Sequence, residues 1–278
     1  MREKVVVITG ATSGIGEVAA DRLAAKGARI VFVARDRARG EETLKHLHAI
    51  APGLEHKACY ADLSRLADMK RVAAEIAERE SQIDVLVNNA GALFGRRAVT
   101  EDGLEMTFAL NHLSYFVLTN LLRPCLAAGG RIVSTASDAH KGARLDFADL
   151  QSSRGYSGFA VYSRSKLCNI LFTRELARRV KDSDVTANCL HPGFVATRLG
   201  DHAGGIFSLG VRAAKTFAIS PEQGAATIVY LASSPAVADI TGAYFVKCRE
   251  ATPAPEARDD ASARRLWEVS AELCGIEG

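Results

Sequence analysis

The chain has 278 residues, of which 48% are hydrophobic and 24% charged, and its formal net charge is +3. This balance is typical of a soluble globular protein and excludes disordered and fibrous classes. A chain of this length can fold as one α/β domain with a large core, so we expect a single domain over residues 1–278. The small charge argues neither for nor against nucleic acid, and the lack of a dense Lys/Arg block predicts no nucleic-acid partner.

The cysteines and the N-terminus bear on the cellular compartment. The six cysteines stand singly, with no C-x-x-C pair and no histidines at metal-ligand spacing, which predicts reduced thiols and no metal site. No apolar run reaches the length that spans a bilayer, and the N-terminal sequence "MREKVVVITG" enters a strand at once, with no room for a signal peptide. We therefore expect a cytoplasmic protein without a transmembrane segment.

The first half of the chain alternates apolar strands with helices. The strands are indicated by "KVVVITG", "ARIVFVA", "LEHKACYADL" and "IDVLVNNAG". The intervening helices are indicated by "GIGEVAADRLAAKG", "RARGEETLKHLHAI" and "SRLADMKRVAAEIAERE". Strands that are apolar at nearly every position are typical of a parallel sheet covered by helices on both faces.

The second half continues the alternation. A long helix over "GLEMTFALNHLSYFVLTNLLRPCL" precedes a strand at "GRIVSTAS", and a helix over "FAVYSRSKLCNILFTRELARRV" precedes a strand at "DVTANCLHPG". A helix near "PEQGAATIVYLASS" and a strand near "TGAYFVKC" follow. Residues 198–220 mix glycine with apolar residues and are expected to form a substrate flap, and 251–278 a C-terminal extension with a short helix containing Trp267. The order predicts one Rossmann-type, doubly wound α/β domain with about seven mostly parallel strands.

A glycine-rich turn, "TGATSGIG", separates the first strand from the first helix. Backbone N–H groups at a helix N-terminus point towards an anion, and glycines allow a pyrophosphate to approach closely. The spacing of Gly10, Gly14 and Gly16 is G-x-x-x-G-x-G. A turn needed only for tight packing between strand and helix is the alternative to a phosphate-binding turn.

This turn, followed by "NNAG" at 88–91 and "YSRSK" at 162–166, resembles the short-chain dehydrogenase/reductase family over essentially the whole chain. A finer resemblance is to its retinol dehydrogenase-like branch. It is carried by "NHLSYFVLTNLL", "RIVSTASDAH", "DFADLQ", "YSRSKLCNILFTRELARR", "HPGFVATRL" and "YFVKCREATPAPEARDDASARRLW". The resemblance implies a dehydrogenase/reductase that uses NAD(P) and acts on CH–OH groups.

The residues after the second strand indicate which dinucleotide is used. An acidic residue there, such as Asp36, can bind the ribose hydroxyls of NAD, whereas an arginine accommodates the 2′-phosphate of NADP. In the family that this chain resembles, arginine directly after the strand marks NADP preference, and Arg35 holds that position. We expect NADP, with NAD as the alternative. Arg37 and Arg39 have a competing interpretation as a solvated helix start.

Tyr162 and Lys166 are four residues apart on a predicted helix, so they share one face. Reduction of a carbonyl by hydride needs a proton donor at the new alkoxide, and the reverse reaction needs a base. A phenol with a pKa near ~10 is a poor base unless a nearby cation favours the phenolate. We therefore expect Tyr162 to be the general acid/base and Lys166, together with the positive charge of an oxidised nicotinamide, to lower its pKa. Ser163, Arg164 and Ser165 are expected to be spacers.

The resemblance implies the rest of the site. Ser137 aligns with the catalytic serine of the family, and Asn111 aligns with its fourth catalytic residue. Ser134 is expected to be a strand-packing residue. His140 and His191 are expected to be structural. Asp62 and the Asn88–Asn89 pair each have an alternative to cofactor binding. For Asp62 the alternative is a helix cap, and for the asparagine pair it is stabilisation of a turn. The implied cofactor-binding residues are Gly10, Thr12, Ser13, Gly14, Ile15, Gly16, Arg35, Asp62, Leu63, Asn89, Ala90, Gly91, Tyr162, Lys166, Pro192, Gly193, Val195 and Thr197.

The loop "ALFGRRAVTEDG" and the flap at 198–220 are expected to form the substrate pocket. Apolar flap residues suit a hydrophobic aldehyde, ketone or alcohol. The N-terminus shows no counterpart of the membrane anchor of many retinol dehydrogenases, which argues against a retinoid. The main alternative is a catalytically silent dinucleotide-binding regulatory protein, and a third option is an epimerase or dehydratase. Relatives often assemble through their long helices, so the resemblance allows a homo-oligomer.

Overall fold

The structure, a computed structural model, describes residues 1–194 and 219–277. The substrate flap expected at 198–220 lies outside the described residues, apart from Ile219 and Ser220. Among the described residues, no helix combines the length and the apolar character needed to cross a bilayer.

One sheet runs through the domain, and its strands occur in the order β3-β2-β1-β4-β5-β6-β7-β8. All neighbouring pairs are parallel except the last, in which β8 runs antiparallel to β7. The order reverses at β1, so the connections wind outward in both directions, as expected for a doubly wound fold. The strands are β1 Val5–Thr9, β2 Arg29–Ala34, β3 Lys57–Tyr60, β4 Ile83–Asn88, β5 Leu126–Thr135, β6 Thr186–His191, β7 Tyr244–Val246 and β8 Arg249–Ala251.

The sequence predicted about seven strands, and the described chain contains an eighth. The added strand, β8, is three residues long and returns along β7 after a turn in which Lys247 and Cys248 have positive φ angles of 51° and 59°. A strand this short has no periodicity of its own, and non-glycine residues in a left-handed turn give no hairpin signal. The predicted fold class is confirmed.

Helices cover both faces of the sheet. They are α1 Gly14–Ala25, α2 Arg37–Ile50, α3 Leu66–Arg79, α4 Met106–Phe108, α5 Ser114–Leu122, α6 Gly158–Arg179, α7 Pro221–Ser233 and α8 Asp260–Cys274. A five-residue π-helical turn, Ala109–Leu113, joins α4 to α5. Successive side chains of each strand point to opposite faces, so Val6 and Ile8 belong to the core under α1 and α7, whereas Val7 belongs to the core under α3, α5 and α6.

The C-terminal helix α8 is longer than the short helix that the sequence predicted. Its fifteen residues pack against α6, and Trp267 is 2% exposed. The Trp267 ring stacks on Phe172 of α6 at 5.7 Å between centroids and meets Phe116 of α5 edge-on at 4.9 Å. The apolar face of α8 therefore completes the core on the outer side of α5 and α6.

Candidate active site

The turn between β1 and α1 has the backbone that close approach of a ligand requires. Gly10 and Gly14 have φ angles of +70° and +62°, in the region that favours glycine. A Cβ atom on Gly16 would lie 2.1 Å from the Gly10 carbonyl oxygen, and one on Gly10 would lie 2.9 Å from the Ala90 Cα atom. Ser13 precedes α1 without capping it through its side chain, and it is exposed. The turn thus offers the first N–H groups of α1 at an open surface, as a diphosphate needs.

Asn89 and Ala90 fix this turn to the end of β4. The backbone N–H groups of both residues donate to Thr9 Oγ1, at 2.9 and 3.0 Å. Asn89 Nδ2 donates to the carbonyl oxygens of Thr9 and Gly10, and Thr135 Oγ1 donates to Asn89 Oδ1. Asn89 therefore joins the ends of β1, β4 and β5, which agrees with the structural interpretation of this asparagine and keeps Ala90 and Gly91 at the carboxyl edge of the sheet.

The residues after β2 bear on the choice between the two dinucleotides. Asp36 caps α2, because its Oδ1 atom accepts from the Arg39 N–H at 2.9 Å. The Arg37 guanidinium stacks over the Tyr60 ring at 4.3 Å and approaches Glu41. Arg35 is exposed at the end of β2. The carboxylate that would mark NAD is thus already engaged at a helix N-terminus.

Asp62 and Leu63 follow β3. The Asp62 Oδ1 atom accepts from the backbone N–H and the hydroxyl of Ser64, at 3.0 and 2.7 Å. This is a local turn and not the helix cap that was the alternative, because α3 begins at Leu66 and Arg65 is its N-cap residue. Leu63 is 5% exposed.

Asn111 lies in the π turn between α4 and α5, which turns its side chain towards the end of β4. Its Oδ1 atom accepts from the Ala92 N–H at 2.8 Å, and its Nδ2 atom donates to the Ala92 carbonyl at 2.9 Å. The same Nδ2 atom donates to Ser165 Oγ at 3.0 Å, and Ser165 donates in turn to the Tyr162 carbonyl. Ser165 is therefore not the spacer that the sequence suggested. π turns inside helices often occur at functional sites.

Tyr162 and Lys166 lie one turn apart on α6 and are both buried, with 7% and 3% of their surface exposed. The Lys166 Nζ atom donates to the Thr135 carbonyl at 3.1 Å and lies 5.5 Å from the centre of the Tyr162 ring. A Cβ atom on Gly91 would lie 3.1 Å from Asn111 Oδ1 and 3.5 Å from Lys166 Nζ. Asn111 and Lys166, two of the four predicted catalytic residues, therefore meet beside Gly91, and the Tyr162 ring lies next to Lys166.

Ser137, the fourth predicted catalytic residue, follows β5. Its side chain lies close enough to Tyr162 to work against the effect of burial on the pKa of the phenol. Its Oγ atom also accepts from the Ala139 N–H at 3.2 Å. Ser134 lies inside β5 with its hydroxyl buried and without a partner among the described residues, in agreement with strand packing.

Burial acts on the pKa values of both members of the pair. It raises the pKa of Tyr162 to about 12 and lowers the pKa of Lys166 to about 7. Desolvation therefore dominates both groups in the protein by itself, and the lowering of the Tyr162 pKa by Lys166 together with an oxidised nicotinamide stays a prediction. Near neutral pH Tyr162 is a protonated phenol, which suits a proton donor.

His191 accepts from the Asp138 N–H through Nδ1 at 3.2 Å, as expected of a structural residue. Gly193 has a φ angle of +96°, and a Cβ atom on it would lie 2.4 Å from the Ile219 Cδ1 atom. Pro192 and Gly193 thus lie where β6 ends, beside β5 and Ser137. Val195 and Thr197, two predicted cofactor contacts, lie outside the described residues.

Sequence reasoning missed two residues that shape this site. Thr9 holds Asn89 and Ala90, and the Thr135 carbonyl accepts from Lys166. Leu93, which belongs to the loop expected to form the substrate pocket, packs against Tyr162 and Ala139. A polar residue that ends an apolar strand was the available signal for both threonines, and it is the signal that drew attention to the asparagines.

Residues 4–204 match the short chain dehydrogenase family, so the match covers most of the chain. The chain belongs to the short-chain dehydrogenase family. Retinol dehydrogenase 14 from Mus musculus is 41% identical to this short-chain dehydrogenase, over 99% of this chain and 87% of the relative. Retinol dehydrogenase 13 from Homo sapiens is also 41% identical, over 99% and 85%. The retinol dehydrogenase-like branch and an NAD(P)-dependent dehydrogenase/reductase activity are thereby confirmed.

Solved structures agree with the fold of this dehydrogenase. An uncharacterized protein from Mycobacterium paratuberculosis aligns with a TM-score of 0.81 at 32% identity, over 99% of this chain and 95% of that one. A short-chain dehydrogenase from Burkholderia cenocepacia, solved in complex with NADP, aligns with a TM-score of 0.69 at 26% identity, over 93% and 99%.

Proposed function

We propose that this protein is an NADP-dependent oxidoreductase that transfers a hydride between the nicotinamide and a hydrophobic aldehyde, ketone or alcohol. The observation that carries the proposal is the pairing of Tyr162 and Lys166, buried one helical turn apart beside Asn111 and Ser137 at the carboxyl edge of the sheet. A module that only binds a dinucleotide needs the glycine turn but has no use for this buried tetrad.

The turn at Gly10, Gly14 and Gly16 fits a dinucleotide. Gly10 and Gly14 have positive φ angles, and the absence of a side chain at each of the three glycines leaves the N-terminus of α1 accessible to a diphosphate. Arg35 would bind the 2′-phosphate of NADP, and Lys166 and Tyr162 would hold the nicotinamide ribose. The remaining contacts proposed from the resemblance are Thr12, Ser13, Ile15, Asp62, Leu63, Asn89, Ala90, Gly91, Pro192, Gly193, Val195 and Thr197. The NADP found in the Burkholderia cenocepacia relative supports this choice.

Bound NADPH supplies the hydride for carbonyl reduction. Tyr162 donates the proton to the carbonyl oxygen, and its raised pKa keeps that proton in place at neutral pH. Ser137 hydrogen-bonds the same oxygen and stabilises the charge that develops on it. Lys166, which donates to the Thr135 carbonyl, would hold the nicotinamide ribose. Asn111 is joined to the helix that carries Tyr162 through Ser165.

The substrate is proposed to be apolar because apolar side chains surround the phenol. Leu93 and Ala139 pack against Tyr162, and Phe159 lies one turn before it on α6 with 53% of its surface exposed. The names of the retinol dehydrogenase relatives support an apolar alcohol or aldehyde as the substrate class. A cytoplasmic location and a homo-oligomer stay predictions from the sequence.

The proposal is tested by following the loss of NADPH with a series of unbranched aldehydes and ketones of increasing length, and then repeating the series with NADH. We expect turnover with NADPH and a kcat/KM that rises about threefold per added methylene while the pocket accepts it. Binding of NADPH without turnover of any carbonyl, or of any alcohol with NADP, would instead support the silent regulatory alternative.

A further inference from the structure

Two histidines that the proposed reaction does not use lie beside two of its catalytic residues. His112 directly follows Asn111, and His140 lies three residues after Ser137. Both side chains are 0% exposed, and burial lowers the pKa of each, to about 3 for His112. Both are therefore neutral rings at physiological pH, with one donor and one acceptor nitrogen each.

His140 joins Ser137 to the C-terminal segment, which comprises residues 254–274. Its Nδ1 atom lies 2.7 Å from the Ser137 carbonyl oxygen, which can only accept, so Nδ1 carries the proton. Its Nε2 atom is then the acceptor, and the backbone N–H of Ala254 donates to it at 3.0 Å. The ring also lies edge-on to Tyr244 at 5.4 Å. One buried imidazole thus connects the backbone of Ser137 to the start of the C-terminal segment.

His112 makes the corresponding connection on the other side of the site. Within the π turn, Asn111 points towards Ala92 and Ser165, whereas the Nε2 atom of His112 lies 2.9 Å from Ser270 Oγ on α8. The Ser270 hydroxyl donates its single proton to the Leu266 carbonyl at 2.7 Å. His112 must therefore be the donor to Ser270, and the bond holds the back of the π turn against α8.

The C-terminal helix is itself firmly attached to α6. Trp267 lies between Phe116 and Phe172 in the core, and Asp260 at the start of α8 accepts from Arg174 at 3.0 Å and from Arg178 at 2.7 Å. Since α6 also carries Tyr162 and Lys166, the C-terminal segment is fixed to the element that holds the acid/base pair.

We propose that the C-terminal segment positions the catalytic residues, acting on Ser137 through His140 and on Asn111 through His112. Ser270, His112 and His140 are positioning residues in this account and do not touch the substrate. The proposal rests on the proposed function, because only an oxidoreductase uses Ser137 and Asn111 in this way. In this account a displacement of α8 shifts the π turn through the bond between His112 and Ser270, and with it the hydrogen bonds of Asn111.

The test is a double-mutant cycle with Ser270→Ala and Asn111→Ala, measured as kcat for carbonyl reduction with NADPH. Ser270→Ala is expected to lower kcat about tenfold in the native background and less than about twofold when Asn111 is already alanine, with the Kd for NADPH unchanged. Ser233→Ala is the matched control, because Ser233 makes the same bond to the carbonyl four residues earlier, at 2.7 Å, and is not bonded to a histidine. It should leave kcat unchanged.

A second readout does not depend on activity. The Ala92 N–H donates to Asn111 Oδ1, so its hydrogen exchange, followed by NMR in the protein without added cofactor, reports on the position of Asn111. Ser270→Ala should speed this exchange about tenfold, and Ser233→Ala should not. His140→Phe, paired with Ser137→Ala, gives an independent cycle with the same expected pattern should Ser270→Ala fail to fold.

The outcomes separate the two proposals. If the native protein turns over but Ser270→Ala and His140→Phe lower kcat equally in both backgrounds, or leave kcat and the Ala92 exchange unchanged, the positioning role is wrong. If the native protein turns over no carbonyl or alcohol, the proposed function fails. In that case an unchanged Ala92 exchange rate in Ser270→Ala would overturn the positioning role as well.

Discussion

Asn111 donates a hydrogen bond of 3.0 Å to Ser165, and this bond ties the π turn directly to the helix that carries Tyr162 and Lys166. Ser165 is 2% exposed and passes the connection on to the Tyr162 carbonyl at 2.7 Å. One hydroxyl group thus connects the side chain of Asn111 to the backbone of Tyr162.

Ser165→Ala should lower both stability and turnover. The substitution removes one partner of a buried amide, which costs about 1–2 kcal/mol in the free energy of unfolding, and it frees Asn111 to move, which should lower kcat about tenfold. Ser163→Ala is the matched control on the same helix, because the Ser163 hydroxyl is buried without a hydrogen-bond partner among the described residues. Denaturant unfolding and steady-state kinetics check both. Equal effects in the two variants would contradict this role of Ser165.

Lys166 should make stability depend on pH in a defined window. Burial lowers its pKa from 10.5 to about 7, so between these values the unfolded chain holds a proton that the folded protein does not. The stability of the native protein relative to Lys166→Met therefore rises with pH from about 7, by roughly 1.4 kcal/mol per pH unit, and this gain is lost as pH falls through 7. Denaturant unfolding of both proteins at several pH values measures the difference. A difference that is flat between pH 7 and 9 would show that Lys166 is charged in the folded protein.

Tyr162 should remain a proton donor well into the alkaline range. Burial raises its pKa to about 12, so kcat/KM for carbonyl reduction should stay constant from about pH 8 to about pH 10. The rate of alcohol oxidation, which needs the phenolate, should rise across the same interval. Stopped-flow or steady-state measurements in both directions test this. A fall in the reduction rate with a midpoint below about pH 9 would instead support the lowered pKa that the sequence suggested.

Arg35→Ala should weaken NADPH binding about 10- to 100-fold and leave NADH binding unchanged, because a guanidinium–phosphate contact contributes roughly 1.5–3 kcal/mol. Arg39→Ala is the control, since only the backbone of Arg39 is used, in the cap of α2. Isothermal titration calorimetry measures the dissociation constants of both variants for NADPH and for NADH. Equal losses of affinity for NADPH and NADH would show that Arg35 does not bind the 2′-phosphate.

The main elements and the pairing of Tyr162 with Lys166 could be predicted because each is a local pattern: an apolar strand, an amphipathic helix, a glycine turn, a tyrosine and a lysine four apart. What could not be predicted depends on contacts between distant residues. The π turn at Asn111 has no sequence signature, and the partner of His112 lies 158 residues away on α8. The pKa of Lys166 likewise follows from its burial. The sequence did not predict this burial, because Lys166 follows a run of polar residues in α6.

The central claim, that Tyr162 is the proton donor of a carbonyl reduction, is tested most directly by Tyr162→Phe under single-turnover conditions. With NADPH and a carbonyl substrate that the native protein reduces, we expect the variant to bind NADPH with a Kd within about twofold of native and to reduce the substrate at least about a thousandfold more slowly. Turnover by Tyr162→Phe at the native rate would contradict the account.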